Sequence, residues 1–522
     1  TLKKKYNSIN ILLALIVFYY GYRKIKKYFL FIKYYNFVSS CKSNLMKICL
    51  RVPFLNIYLN KIINKSVEET IIVIKKDLNE PIEKSDLKTF DSMENTGLNI
   101  NYISKLIEDY RKFENSIVKS DKISGTVYSL DDEHNTLVSK IFMNYFKTNP
   151  LHPDLFPFLR KMESSIVKMC IPLFNGDKDT VGCVSSGGTE SIMLACLSYR
   201  ENGRKNGINY PEIIAPITVH PAFDKACFYF NIKLVKVPVN NNDYPDLEYL
   251  EACINKNTVC IVGSAPGFPH GIVDPLEKLS KIALKNKLGF HVDSCLGGFL
   301  LPFMEEKIKF DFCIEGVTSI SADLHKYGYC PKGVSVLLYK NKDFMHNQYF
   351  AFPDWPGGIY TTSTMLGSRP GNVLCLTYAT LLYYGIDGYK KKTKDIIETT
   401  RYLCEEIKKI KGISIIGTPK VSVIGIFSED FDIYEISDHM KKLGWNLNNL
   451  QFPSSVHLCV TDLHTKKEVK DTFIKDLKTS ISKCNKNNNS NESASIYGSS
   501  QKVSNRGIIK NILHGYLDCT YS

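Results

Sequence analysis

Between about residues 150 and 340, short apolar runs alternate with amphipathic segments, and this alternation restricts the fold more than any other feature of the chain. The runs at 213–219, 234–237, 258–262 and 289–292 have the length and β-branched content of strands, and 333–339 is a later one. Ser185 to Ser191 joins a further strand to a helical stretch at 192–199. Parallel neighbours need long crossovers, and a strand buried on both faces reads as a continuous apolar run. The alternation therefore predicts an α/β fold, a mostly parallel sheet with helices on its faces. In such a sheet ligands collect beyond the carboxyl ends of the strands, so residues closing the runs are the first functional candidates.

Several of those residues have matching chemistry. Lys326 lies in Ser321-Ala322-Asp323-Leu324-His325-Lys326-Tyr327-Gly328, about thirty residues after His291-Val292-Asp293. A lysine amine that can hold an aldehyde, with a carboxylate that keeps a pyridine nitrogen protonated, is the pairing required by pyridoxal 5′-phosphate (PLP). Val184-Ser185-Ser186-Gly187-Gly188-Thr189-Glu190-Ser191 is a strand-to-helix turn whose glycines and exposed N–H groups can hold a phosphate. It is neither a Walker loop nor a GxGxxG fingerprint. His220 closes another run, where its imidazole can stack on a cofactor ring, and Gly297 and Gly298 allow a tight turn after Asp293. Taken singly, each has a plainer reading: a solvated lysine, a helix cap for Asp293, a loop histidine, an ordinary turn. Together they favour the cofactor.

At 522 residues the chain is too long for one simple core. The expected organisation is an N-terminal membrane anchor with a basic flank (1–45), a helical segment (46–148), a large PLP-binding domain (149–390) and a smaller α+β domain (391–522). Helices are expected at 29–38, 48–63, 103–113, 135–146 and 394–411, and strands around 421–427 and 455–460. The polar tract CNKNNNSN (484–491) reads as a disordered loop.

Residues 9–22 are apolar apart from Asn10, with Lys3, Lys4 and Lys5 before them and Arg23, Lys24, Lys26 and Lys27 after. A spanning helix wants about 20 apolar residues, and interfacial tyrosines with snorkelling lysines extend this run. Tyr19-Tyr20-Gly21-Tyr22-Arg23 lacks the small residues of a signal-peptide cleavage site, so an anchor is the expectation. The net charge of +14 is spread along the chain, which fits contact with anionic membrane lipid. With no zinc finger, RNP motif or basic-aromatic platform, no nucleic-acid partner is expected. The 16 cysteines form no CxxC pairs, and Cys196, Cys260 and Cys459 lie in apolar runs. Buried free thiols in a reducing compartment account for them, and no metal is expected.

Long blocks of the chain also resemble a known family. NPLHPDLFPFLRKMESSIVKM (149–169), SSGGTES (185–191), HVDSCLGGFLLPF (291–303), SADLHKYGYCPKG (321–333) and DWPGGIYTTSTMLGSRPG (354–371) are similar to the sphingosine-1-phosphate lyases, PLP enzymes of the group II decarboxylase-like family. GWNLNNLQFP (444–453) and SIYGSSQ (495–501) continue the likeness, in the same order, to the end of the chain. The resemblance implies fold type I of the PLP-dependent transferases and an endoplasmic reticulum membrane protein with a single anchor and a cytosolic catalytic part. It further implies a homodimer with shared sites that cleaves phosphorylated sphingoid bases to a long-chain aldehyde and phosphoethanolamine.

By the same resemblance Lys326 is the cofactor lysine, Asp293 the partner of the pyridine nitrogen and His220 the stacking histidine. Gly188 and Thr189 form the phosphate cradle, with His325 and Ser368 also at the cofactor. Tyr128 is an active-site tyrosine, and Asn149, His152 and Lys332 match positions tied to the substrate phosphate or the catalytic cycle. Gly367-Ser368-Arg369 reaches the neighbouring subunit's cofactor. The chain departs from the family at Ser185, Pro221, Ser294 and Cys330, none of which removes a group the chemistry needs. The base for the substrate's C3 hydroxyl stays open among Tyr128, Lys326 and a water- or phosphate-assisted route. Rival readings are a PLP-dependent amino-acid decarboxylase, which needs no NPLHPD element, and a catalytically silent membrane scaffold.

Overall fold

A computed structural model describes residues 53–117, 120–240, 243–484 and 506–521. The expected anchor (9–22), the 29–38 segment and most of the Asn-rich tract lie outside these residues. Among the described residues, no helix is long and apolar enough to cross a membrane. Two compact units divide them, and neither is continuous in sequence. The first holds Ser124–Asp430 and Val456–Lys478; the second holds 53–123, Phe431–Ser455 and 479–521.

The first unit is built on a seven-stranded sheet: β1 Val181–Ser185, β2 Glu212–Pro216, β3 Lys233–Val237, β4 Thr258–Ser264, β5 Gly289–Asp293, β6 Ser319–Ala322 and β7 Ser335–Tyr339. Their spatial order is β1-β7-β6-β5-β4-β2-β3. Neighbours from β6 through β5, β4 and β2 to β3 are parallel. β7 alone runs against the rest, antiparallel to both β1 and β6. The expectation of a mostly parallel sheet is met, with six of the seven strands within a few residues of their expected places; no strand was expected at β6, whose end falls in the polar loop before Lys326.

Alternation of side chains across β4 explains the layering. Cys260 and Val262 are buried in one cluster with Ile192, Leu194, Ala195 and Tyr199 of helix Gly188–Lys205. On the other face, a Cβ at Gly263 would meet Leu276 and Leu279 of helix Leu276–Lys285. Helices thus cover both faces. Tyr199 is fully buried and satisfies its hydroxyl on Thr318 and Ser319 at 2.7 and 2.6 Å.

The helix expected at 394–411 is the second half of a longer element, Gly371–Lys408, interrupted where Gly385 adopts φ +54°. A left-handed residue breaks the helical period seen in sequence, which is why only the later half is legible. The antiparallel hairpin Phe350–Trp355/Gly358–Thr362 was not anticipated; its first strand is exposed throughout. Strands Ser414–Ile415, Val423–Phe427 and Ser455–Cys459 pair antiparallel in that order. In the second unit, helix Arg506–Cys519 packs on helix Pro53–Glu83, with Gly515 against Ile71. Helices Ile100–Ile117 and Ile433–Lys442 belong to the same unit.

Candidate active site

Parallel pairing brings the ends of five strands to one edge. Asp293 closes β5 level with Ser264 of β4 and Ser321 of β6. Ser185 and Ala322, which end β1 and β6, lie beside successive residues of β7. His220 follows β2 at the same edge. Lys326 stands four residues beyond β6, so the lysine, the carboxylate, the histidine and the glycine turn emerge on one side of the sheet.

Lys326 Nζ lies 2.9 Å from Asp323 Oδ2, and His325 Nε2 approaches the same oxygen at 3.6 Å. The Asp323 side chain is 2% exposed, and its Oδ1 has no hydrogen-bond partner. Burial alone would lower the Lys326 pKa, but the Asp323 carboxylate, with Cys295 and Tyr128 beside it, more than offsets this and holds the ammonium above its ordinary range. Burial likewise pushes Asp323 upward, and Lys326 and His325 more than reverse this, leaving it below the usual carboxylate range. His325 accepts the Val334 N–H on Nδ1 at 3.2 Å, which leaves Nε2 to carry the proton toward Asp323. Burial lowers its pKa, so the ring is neutral.

The glycine turn sits against this pair. Helix Gly188–Lys205 starts without a side-chain cap, at Gly187 with φ +145°. A Cβ on Gly187 would meet His325 Cε1 at 3.2 Å, and one on Gly188 would meet both Asp323 oxygens at 2.7 Å. An uncapped helix start with glycine backbone at its mouth suits a phosphate. Glu190 fixes the turn: its carboxylate accepts the Ser186 and Met365 N–H groups at 2.6 and 2.9 Å.

Asp293 is 7% exposed and accepts the Cys295 N–H at 3.1 Å and the Ser321 hydroxyl at 3.4 Å. Behind it, His291 bonds Ser319 and Ser321 at 2.7 and 3.2 Å. Burial drops His291 to a pKa of about 4, so it is a neutral prop for Asp293. His220 accepts the Ala222 N–H on Nδ1 at 3.1 Å, and burial lowers its pKa against the pull of Asp293. Pro221 begins helix Ala222–Phe230 at φ −63°, where a missing N–H costs nothing. It orders the His220 turn.

Tyr128 comes from outside the sheet. Gly125 and Thr126, both with φ near +60°, bend the chain, and Gly125 N and Ser124 Oγ bond the strand Ser455–Cys459. The Tyr128 ring meets Tyr327 edge-on at 4.8 Å, and Lys332 Nζ lies over it at 4.8 Å while donating to the His325 carbonyl. Burial, with the Cys459 thiol next, pushes the Tyr128 phenol well above its ordinary pKa.

Asn149 and Ser368 form a second cluster. Asn149 Nδ2 donates to Ser368 Oγ at 3.0 Å, while its Oδ1 accepts the Leu151 and Arg369 N–H groups. Arg369 makes a two-pronged pair with Glu163. His152 is exposed in the adjoining turn. Among the described residues, no hydrogen bond joins this cluster to Lys326, Asp293 or His220. Sequence reasoning gave no role to Asp323, Glu163 or Glu190. Asp323 alone left a readable signal, an acid three residues before the lysine in one turn.

The donor set fits PLP: a lysine amine, a buried carboxylate, an imidazole and an uncapped helix start share one edge. Comparison with known proteins agrees. Residues 99–427 match the pyridoxal-dependent decarboxylase conserved domain. The sphingosine-1-phosphate lyase 1 of Rattus norvegicus is 42% identical over 93% of this chain and 85% of its own length. The Saccharomyces cerevisiae lyase is 39% identical over 87% of this chain and 80% of its own. Among solved structures, a sphingosine-1-phosphate lyase of Burkholderia pseudomallei superposes with a TM-score of 0.74 at 35% identity, over 76% of this chain and 94% of that one. A Lactobacillus brevis glutamate decarboxylase, 22% identical over 77% of this chain and 96% of its own, has a TM-score of 0.67 and shares the fold. The chain belongs to the PLP-dependent decarboxylase family, among the sphingosine-1-phosphate lyases.

Proposed function

We propose that this chain cleaves phosphorylated long-chain sphingoid bases between C2 and C3, giving a long-chain aldehyde and phosphoethanolamine. The observation that carries the reading is Lys326, Asp323 and Asp293 together at one sheet edge, in a chain 42% identical to a sphingosine-1-phosphate lyase over 93% of its length. PLP, when bound, supplies a ring that accepts the electrons left on C2.

The residues divide the remaining work. Asp293, held by Cys295 N and Ser321, keeps the pyridine nitrogen protonated. Neutral His220 offers a flat face for stacking, and the start of helix Gly188–Lys205 with Thr189 takes the cofactor phosphate. Lys326 supplies the amine and, with Asp323 beside it, stores a proton at Nζ for delivery to C2. Tyr128 is kept protonated by burial and so donates rather than accepts. This counts against Tyr128 as the base for the C3-hydroxyl proton. Lys332 offers a cation to the substrate phosphate.

Asn149, His152 and Ser368 complete the site from the partner of a homodimer in this reading. The bonding of Asn149 to Ser368, apart from the Lys326 cluster, supports it, as does the typically dimeric habit of the family. The reading also places residues 9–22 as a single anchor in the endoplasmic reticulum membrane, with membrane lipid beside a cytosolic catalytic part. The apolar run and the fourteen free cysteines of the described residues support that placement.

Incubation of purified, PLP-loaded protein with a phosphorylated long-chain base tests the activity. Aldehyde and phosphoethanolamine in equal amounts are expected. Carbon dioxide from an amino acid, without aldehyde from the sphingoid base, would instead establish a decarboxylase.

A further inference from the structure

Away from these residues, helix Ile433–Lys442 sets Glu435 and His439 one turn apart on the same face. Cys484 follows the end of helix Lys467–Lys483 and faces them. One ligand atom from each, a Glu435 carboxylate oxygen, a His439 ring nitrogen and Cys484 Sγ, lies within 4.8 Å of the other two. All three belong to the second unit.

The plain account is an i,i+4 ion pair beside a buried thiol. It leaves the arrangement unexplained. His439 Nε2 stands 4.0 Å from Glu435 Oε1, beyond hydrogen-bond reach. Glu435 Oε2 is wholly buried with no hydrogen-bond partner. Among the described residues, no lysine or arginine forms an ion pair with Glu435. Cys484 is 9% exposed, and its thiol makes only a weak bond to the Ser480 carbonyl at 3.3 Å. A buried carboxylate oxygen without a donor is an unmet demand for positive charge.

We propose that Glu435, His439 and Cys484 bind a divalent cation of the zinc class, with water as the fourth ligand. The thiolate–imidazole–carboxylate set suits a borderline-soft, tetrahedral ion. Bonds of about 2.0–2.3 Å put tetrahedral ligand atoms about 3.5 Å apart, so the present spread closes by about 1 Å through side-chain torsions. Cys484 releases its thiol proton to solvent as the sulfur–metal bond forms. The ion would clasp the end of helix Lys467–Lys483 to helix Ile433–Lys442, a role separate from the chemistry at Lys326.

The test uses the full-length holoenzyme with its purification tag removed, stripped with a chelator and titrated with cobalt(II). Difference spectra remove the cofactor's absorbance. One cobalt per chain is expected, with a thiolate-to-cobalt charge-transfer band that zinc(II) abolishes by displacement. Cys484→Ser should lose the band, and His439→Gln should keep it while weakening affinity by at least about tenfold. Cys313→Ser, at an exposed cysteine, should leave band and affinity unchanged. A wild-type chain without the band, or a band that survives Cys484→Ser, overturns the proposal. If Cys484→Ser does not fold, equal affinities for wild type and His439→Gln overturn it equally.

Discussion

Replacing Asp323 by Asn keeps the shape of the side chain and removes its charge from a pair almost closed to solvent. Asp323 is 2% exposed and the Lys326 side chain 22%, with 2.9 Å between Oδ2 and Nζ. Removing one partner of a buried pair costs about 3–5 kcal/mol; partial exposure of Lys326 puts this case at about 3 kcal/mol. At fixed pH that is about a hundredfold rise in the neutral-amine fraction of Lys326. Only the neutral amine attacks the cofactor aldehyde. PLP uptake by cofactor-free wild type should therefore quicken about tenfold per pH unit from pH 7 to 9. In Asp323→Asn it should be about a hundredfold faster at pH 7.

Unfolding adds a second reading of the same pair. The folded pKa of Asp323 is depressed, so its stabilisation is present above the unfolded value of about 3.9 and fades as pH falls through the folded one. The Lys326 pKa is raised, so its share is complete below about 10.4 and lost only as pH climbs through the folded value. Urea midpoints should show a steeper acid loss in wild type than in Asp323→Asn. Identical pH–rate profiles for cofactor uptake would refute the coupling.

Lys326→Ala should fold, by circular dichroism, yet release no aldehyde; substantial turnover would sink the assignment of the cofactor lysine. Gly188→Ala puts a methyl 2.7 Å from the Asp323 carboxylate and 2.9 Å from Cys295 Sγ, so PLP affinity should fall about tenfold or more. Gly97→Ala, with nothing within 4 Å, is its control, and equal affinity in the two variants would disprove the cradle. Mixing an inactive Lys326→Ala chain with an inactive Ser368→Ala chain should restore part of the activity. Heterodimers that form but stay silent would exclude a shared site. A chain lacking residues 1–45 should be released from the membrane as a soluble protein and bind PLP, since every proposed site residue lies later; failure to bind PLP would refute that separation.

Residues such as Asp293 and Lys326 were legible in the sequence because their signals are local. An apolar run ends in a carboxylate, a small polar loop holds His-Lys, and a glycine turn opens a helix. The alternation of runs determined a mostly parallel sheet, and a parallel sheet gathers its strand ends at one edge. Sequence could not see that β7 turns against its neighbours, because a buried strand reads alike in either direction. It also missed the first half of helix Gly371–Lys408, where Gly385 breaks the period. Only the tertiary structure placed Asp323 on Lys326 and closed Asn149 onto Ser368, 219 residues apart. It alone set Cys484 beside Glu435 and His439. Composition and spacing name the groups a chain possesses. The charge each group carries depends on what packing brings within a few ångströms and on how much water packing takes away.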